Sequence, residues 1–145
     1  MQIAPESPTE ELLSLLLECA LPIADLSPTS PVQFFGIRSG GTLVAVVGLE
    51  FHGPFALLRS LAVSPRFRER GFARSLVSFA ESFAASCGVD TLFLLTTTAE
   101  RFFLALGYQP VSRSAAPTVI QATAQFASLC PVSSAFLSRR VAAAA

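Results

Sequence analysis

Apolar residues recur along this chain in two rhythms, one helical and one alternating. Leu12, Leu13, Leu16, Leu17 and Ala20 keep helical spacing between Ser7 and Pro22. A helix is therefore predicted to run to about Ala20, with Ser7 as its cap, Pro8 at its first position and Glu10 and Glu11 at the positive end of its dipole. Those leucines are expected in the core. Before the helix, Met1 to Ala4 reads as a short edge strand ended by Pro5. After it, Ile23 to Pro31 has the Asp, Ser, Thr and Pro content of a loop. Val32 to Arg38 and Thr42 to Phe51 read as strands joined by the tight turn Ser39-Gly40-Gly41. His52-Gly53-Pro54 then turns the chain into a third strand, Phe55 to Val63, so three consecutive antiparallel strands are predicted.

The second half changes character. A Pro-started, arginine-rich turn leads from Val63 into an amphipathic helix with Leu76, Val77, Phe79, Ala80, Phe83 and Ala84 on its inner side, ended by Gly88. Asp90 to Thr96 is an apolar strand. Tyr108 to Ser112 reads as another, Ala115 to Ser128 as an amphipathic helix with Ile120, Ala124, Phe126 and Ala127 for packing, and Ser134 to Arg139 as a last strand. Ala142 to Ala145 is expected to fray.

Composition sharpens this picture. A chain of 145 residues, 52% of them hydrophobic, is one ordinary domain able to bury a core without disulfides or metal. Ten basic residues balance ten acidic ones, which gives no overall field toward nucleic acid or an anionic membrane. Every basic residue is arginine, and Arg66, Arg68, Arg70 and Arg74 crowd into the turn and helix start beside Gly71. A helix N-terminus offers free N–H groups and positive potential, and arginine binds phosphate bidentately, so this stretch suits a polyanion; a solvated helix start is the plainer alternative. Cys19, Cys87 and Cys130 are odd in number and far apart, and His52 is the one histidine, which argues against a disulfide framework and a zinc site. No run approaches the roughly 20 apolar residues of a membrane span, and a cytoplasmic protein is expected. The apolar content also suggests a homodimer, joined through the C-terminal strands.

Arg59 interrupts an apolar row, since strand alternation places Leu57, Arg59, Leu61 and Val63 on one face. A charge there needs a partner. Two readings stand: an ion pair with Glu50 on the preceding strand, or a contact to a substrate carboxylate. Cys130, before Pro131, reads either as a buried packing residue or as a reactive thiol.

Val63, Pro65, Arg68, Gly71 and Ala73 follow a strand and open a long helix, and in that setting they resemble the signature of the GNAT superfamily of acetyl-CoA-dependent N-acetyltransferases. The segment Ala99 to Tyr108 is similar to the superfamily's second hallmark, matching at Ala99, Phe102 and Gly107. The resemblance implies an α+β fold, layered α/β/α, with a mixed central sheet in which Phe55–Val63 and Thr91–Thr96 are parallel and splay apart. It implies that N–H groups around Arg70, Gly71, Phe72, Ala73 and Arg74, after Arg68, meet the pyrophosphate of acetyl-CoA. Leu61, Ala62 and Val63 would pair with the pantetheine amides like an added strand, and Phe102 completes the cosubstrate set. LLRSLAV, LLTTTAERFF and ATAQFASLCP look especially like a subgroup found beside arsenic resistance genes.

The implied activity is direct acetyl transfer to a primary amine of a small molecule, with no metal. Many relatives carry at position 103 a tyrosine that protonates the departing thiolate, and this chain has Phe103. A hydroxyl among Thr96 to Thr98, here Thr97, is a candidate substitute, although such threonines also serve as caps. Glu50 is the acid of the strand pair able to take the amine's proton, and Asp25, with Arg59, is expected on the acceptor side. The other reading is a domain that binds or senses acyl-CoA with little turnover.

Overall fold

The computed structural model describes residues 2–142. Its elements are β1 (Ile3–Glu6), α1 (Glu10–Glu18), β2 (Val32–Ser39), β3 (Thr42–His52), β4 (Phe55–Val63), α2 (Phe72–Ser86), β5 (Thr91–Thr96), α3 (Glu100–Ala105), β6 (Gln109–Pro110), α4 (Thr118–Gln121) and β7 (Ala135–Arg140). They build one 7-stranded sheet in the order β1-β2-β3-β4-β5-β7-β6. β1 to β4 are successive antiparallel neighbours, β4 and β5 are parallel, and β7 lies antiparallel between β5 and β6. The α+β fold with a mixed sheet and a parallel pair is therefore present.

The apolar rhythm explains the layers. Leu76, Val77, Ala80 and Ala84 of α2 pack with Phe35, Val47, Leu49 and Leu92 on one face of the sheet. Leu12, Leu15 and Leu16 of α1 pack with Phe34, Val46 and Ala62 on the other. Farther along, Ile120 of α4 joins Leu57, Phe93 and Phe136. Phe35 ties the sheet to α2, with its ring 4.8 Å from those of both Phe79 and Phe83.

Several local expectations are corrected. β1 runs through Pro5 to Glu6, because an edge strand tolerates a missing N–H; Met1 of that predicted strand lies outside the described residues. Thr9, not Ser7, caps α1, its hydroxyl accepting from Leu12 N at 3.4 Å. Leu17 is 59% exposed and Ala20 is exposed, since Leu15 takes the inward position. The helix predicted over 115–128 is broken into a turn at Arg113–Ala115, the short α4 and a wide turn at Gln125–Leu129. Pro117 removes one donor, and the buried Thr123 hydroxyl, donating to Ile120 O and accepting from Phe126 N, competes with the helical bonds. The strand expected over 108–112 shrinks to two residues. Beyond residue 142, the frayed end lies outside the described residues.

Tyr108 anchors the second half. It is buried and donates to Glu81 Oε2 at 2.8 Å, while Arg139 of β7 donates to Glu81 at 3.1 Å and to Leu106 O at 2.9 Å. Burial, and then the Glu81 charge, push the Tyr108 hydroxyl above its ordinary pKa and keep it a donor. This knot fixes the C-terminal end of α3 against α2 and β7, with Phe103 buried on the sheet side.

Phe35→Ala should cost about 3–5 kcal/mol of stability, because the ring contacts made with α2 cannot be replaced by collapse. Urea unfolding followed by circular dichroism measures it.

Candidate active site

β4 and β5 pair at Phe55, Ala56 and Leu57 opposite Thr91, Leu92 and Phe93, and then part. Beyond that point β4 stays on β3 and β5 stays on β7. The register of β3 and β4 shifts between Val46/Ala62 and Gly48/Arg59, which places Ser60 and Leu61 opposite Val47 alone. Ser60 sits at φ 58, a conformation few non-glycine residues adopt, and the bulge adds twist that helps β4 leave β5.

The bulge corrects the predicted apolar row. Leu57 and Arg59 face the α4 and α1 side, but beyond Ser60 the alternation resets, so that Ala62 joins the α1 cluster and Leu61 and Val63 turn toward α2. Arg59 is therefore followed on its own face by Ala62, not Leu61.

Between the parted strands lies a cavity of about 300 Å³. Its walls are Leu58–Leu61 of β4, Leu94–Ala99 of β5 and its following turn, Phe103 of α3, Ala20–Pro22 after α1, and Gln125 with Leu129–Pro131. Ser64 N donates to Val44 O of β3 at 2.8 Å, and by alternation Leu61 and Val63 direct their backbone groups away from β3, toward the unpaired edge. The Val63 carbonyl accepts from Arg68 Nε at 3.1 Å.

After β4, Gly71 stands immediately before α2 at φ 81, where a left-handed backbone favours glycine. The first bond of α2 is Ser75 N to Gly71 O at 3.0 Å, so the N–H groups of Phe72, Ala73 and Arg74 have no acceptor within the helix. Phe72 stacks on Phe67, and Arg70 lies 4.8 Å over the Phe67 ring. Among the described residues, Arg66, Arg70 and Arg74 make no ion pair. Free donors, open space around Gly71 and unpaired guanidinium groups are what a pyrophosphate needs.

At the cavity wall, Arg59 gathers the acids. Its Nη1 and Nη2 donate to the Asp25 carboxylate at 2.6 and 2.8 Å, Nη1 also donates to Glu50 Oε1 at 2.9 Å, and Nε donates to Ser60 Oγ at 3.3 Å. The side chain is wholly enclosed. Burial pulls the guanidinium pKa down, yet the Asp25 and Glu50 carboxylates outweigh it and leave the pKa raised. The Arg59 bond holds the Asp25 carboxyl below its ordinary range. The ion pair with Glu50 is thus present, and Asp25 closes it from the loop side.

The other candidate residues divide. Leu61 and Thr97 line the cavity; Glu50 and Asp25 stand behind Arg59, outside it. Ala62 is buried away from it. Phe102 packs edge-on against Phe103, and it is Phe103 that reaches the wall. Thr96 closes the turn before α3, its hydroxyl accepting from Ala99 N at 3.0 Å. Cys130 is half-buried, with burial pushing its thiol pKa up, and donates to Gln125 Oε1 at 3.5 Å. Sequence reasoning missed Ser60, Gln125 and His52. His52 Nε2 donates to Glu50 Oε2 at 2.6 Å, a bond that the two-residue spacing on one strand could have suggested.

A mixed sheet whose central parallel pair splays open is the acyl-CoA N-acyltransferase fold. The model of the acetyltransferase (GNAT) family matches residues 3–108, and the chain belongs to that family. An uncharacterized N-acetyltransferase of Chlorobaculum tepidum is 33% identical over 89 residues, covering 61% of this chain and 57% of that protein's length. N-acetylglutamate synthase of Neisseria gonorrhoeae, solved with coenzyme A and N-acetyl-glutamate, superposes with a TM-score of 0.78 at 18% identity over 99% of this chain and 36% of its own. An aminoglycoside 6'-N-acetyltransferase with coenzyme A gives 0.72 at 15% identity, over 100% and 99% of the two chains. None of the described helices is long and apolar enough to cross a membrane.

Two outcomes are expected of the acid cluster. Arg59→Ala should destabilise the protein by about 3–5 kcal/mol, since Glu50 stays buried without its cation. Because Asp25 has a lowered pKa in the folded state, its contribution is complete above the ordinary value of 3.8 and is lost as pH falls below it. Unfolding midpoints measured from pH 6 downward should therefore fall less steeply for Asp25→Asn than for the parent, as about one titrating carboxyl is removed.

Proposed function

We propose that this chain is an acetyl-CoA-dependent N-acetyltransferase that acetylates a primary amine of a small molecule by direct attack in a ternary complex. The observation that carries this reading is the conjunction of a β4 edge left without a strand partner on the β5 side beyond Leu57 and the donor-rich helix start that follows β4 in the chain. Bound there, acetyl-CoA supplies the activated acetyl group. The N–H groups of Phe72, Ala73 and Arg74, with Arg68, Arg70 and Gly71, hold the pyrophosphate, and the outward backbone of Leu61 and Val63 aligns the pantetheine arm. Leu61 and the β5 side of the cavity exclude water from the reacting end.

Glu50 is the carboxylate assigned to taking up the amine's proton, with His52, 25% exposed, between it and solvent. Thr97, on the cavity wall, is the hydroxyl assigned to the departing thiolate in place of a tyrosine at 103. The homodimer and the cytoplasmic setting remain part of this proposal, and the arsenic-linked resemblance adds amines connected with arsenic, or other toxic amines, to the acceptors to be tried. One observation favours the second reading, a binding or sensing domain: Phe103 presents hydrocarbon where a proton donor would serve.

Calorimetry with coenzyme A, followed by acetyl-CoA consumption across amino acids, polyamines and aminoglycosides, tests the proposal. Absence of coenzyme A binding would sink it, and binding with consumption no faster than buffer for every amine would leave the sensing domain. Gly71→Glu should raise the coenzyme A dissociation constant about tenfold or more while the circular dichroism spectrum stays native, because the new side chain adds strain and a negative charge at the phosphate site.

A further inference from the structure

The cavity meets a buried cation that no ligand can use as it stands. Arg59 spends four hydrogen bonds on Asp25, Glu50 and Ser60, and its side chain has no exposed surface. Asp25 comes from the loop between α1 and β2, and the start of that loop, Ala20–Pro22, is itself a cavity wall. Two carboxylates surround one guanidinium, and Glu50 also accepts from His52, so with a neutral His52 an excess negative charge stands behind the acceptor end. The remaining wall is apolar apart from hydroxyls, the Gln125 amide and the Cys130 thiol, and carries no other charged side chain.

We propose, resting on the acetyl-transfer reading above, that the acceptor is an amine whose body is uncharged and mostly apolar, and that Asp25 enforces this choice by occupying Arg59. A carboxylate on the acceptor would find no free cation and would meet the excess negative charge of Asp25 and Glu50. An uncharged body loses nothing on entering, and an ammonium group arriving before deprotonation is attracted. Asp25 acts here through Arg59, as a specificity determinant and not as a catalytic residue. Neutralising it as asparagine leaves the guanidinium balanced by Glu50 alone, with one of its two hydrogen bonds to residue 25 kept through the amide oxygen and the other lost.

The test uses matched pairs. Phenylalaninamide and phenylalanine, and leucinamide and leucine, are compared as acceptors by kcat/KM for the parent and for Asp25→Asn, so that taking the ratio of the two proteins cancels differences in amine basicity. The parent should prefer the amides, and Asp25→Asn should shift the ratio toward the acids by about tenfold, the effect of removing one nearby charge at a partly screened site. Coenzyme A affinity and the unfolding midpoint of the variant report whether the fold is kept. Should the variant not fold, 3-phenylpropanamide and 3-phenylpropanoate are compared for binding to the coenzyme A-saturated parent, where no amine titrates; the amide should bind about tenfold tighter. A parent that favours carboxylates in either comparison, or a folded Asp25→Asn with an unchanged ratio, overturns the inference. Failure of the acetyl-transfer reading would appear separately, as no binding of acetyl-CoA at all, and would remove this inference with it.

Discussion

The parting of β4 from β5 is the constraint on which the rest of the structure depends. Backbone groups inside a protein must find partners, and a parallel pair that stops at Leu57 and Phe93 leaves the far half of β4 with a free edge facing the cleft. The bulge at Ser60 and the commitment of β5 to β7 through Thr96 keep the two strands from closing. The cleft exists because each strand is satisfied on its outer side and not on its inner one. A ligand able to behave like a strand, with amides at the right spacing, answers that need.

Electrostatics give the start of α2 and the cavity wall at Arg59 opposite characters. At the α2 end, arginines without acidic partners surround free N–H groups, so positive potential is concentrated although the chain is neutral overall. At the cavity wall, a single arginine is sealed under two carboxylates. The same residue type thus stays without an acidic partner in one place and serves as internal mortar in the other, and burial together with partner count marks the difference.

Much of this was legible in the chain itself. The hairpins, the helix behind Gly71 and the strand at 91–96 followed from period and punctuation, because those segments are long and their apolar residues have one face to fill. The fate of Arg59 was half visible: Glu50 lies on the neighbouring strand, whereas Asp25 arrives from a loop whose path no local pattern dictates. The bulge was hidden, since a non-glycine residue at positive φ leaves no compositional trace, and with it went the true facing of Leu61 and Val63. The C-terminal third misled because Ala115 to Ser128 has helical spacing while Pro117 and Thr123 interrupt its hydrogen bonds, and so Gln125 reached the cavity wall unannounced.

The sheet order carries a temporal consequence. β7, made of nearly the last described residues, lies inside the sheet between β5 and the two-residue β6. During synthesis from the N-terminus, β1 to β4 and α2 can assemble early, while β5 waits with a bare, apolar edge, TLFLLT, until β7 has been made. The far wall of the cleft is completed over the same interval, because the segment from Gln125 to Pro131 immediately precedes β7. A ribosome stalled before Ala135 would hold a chain with a template for aggregation in place of a binding site.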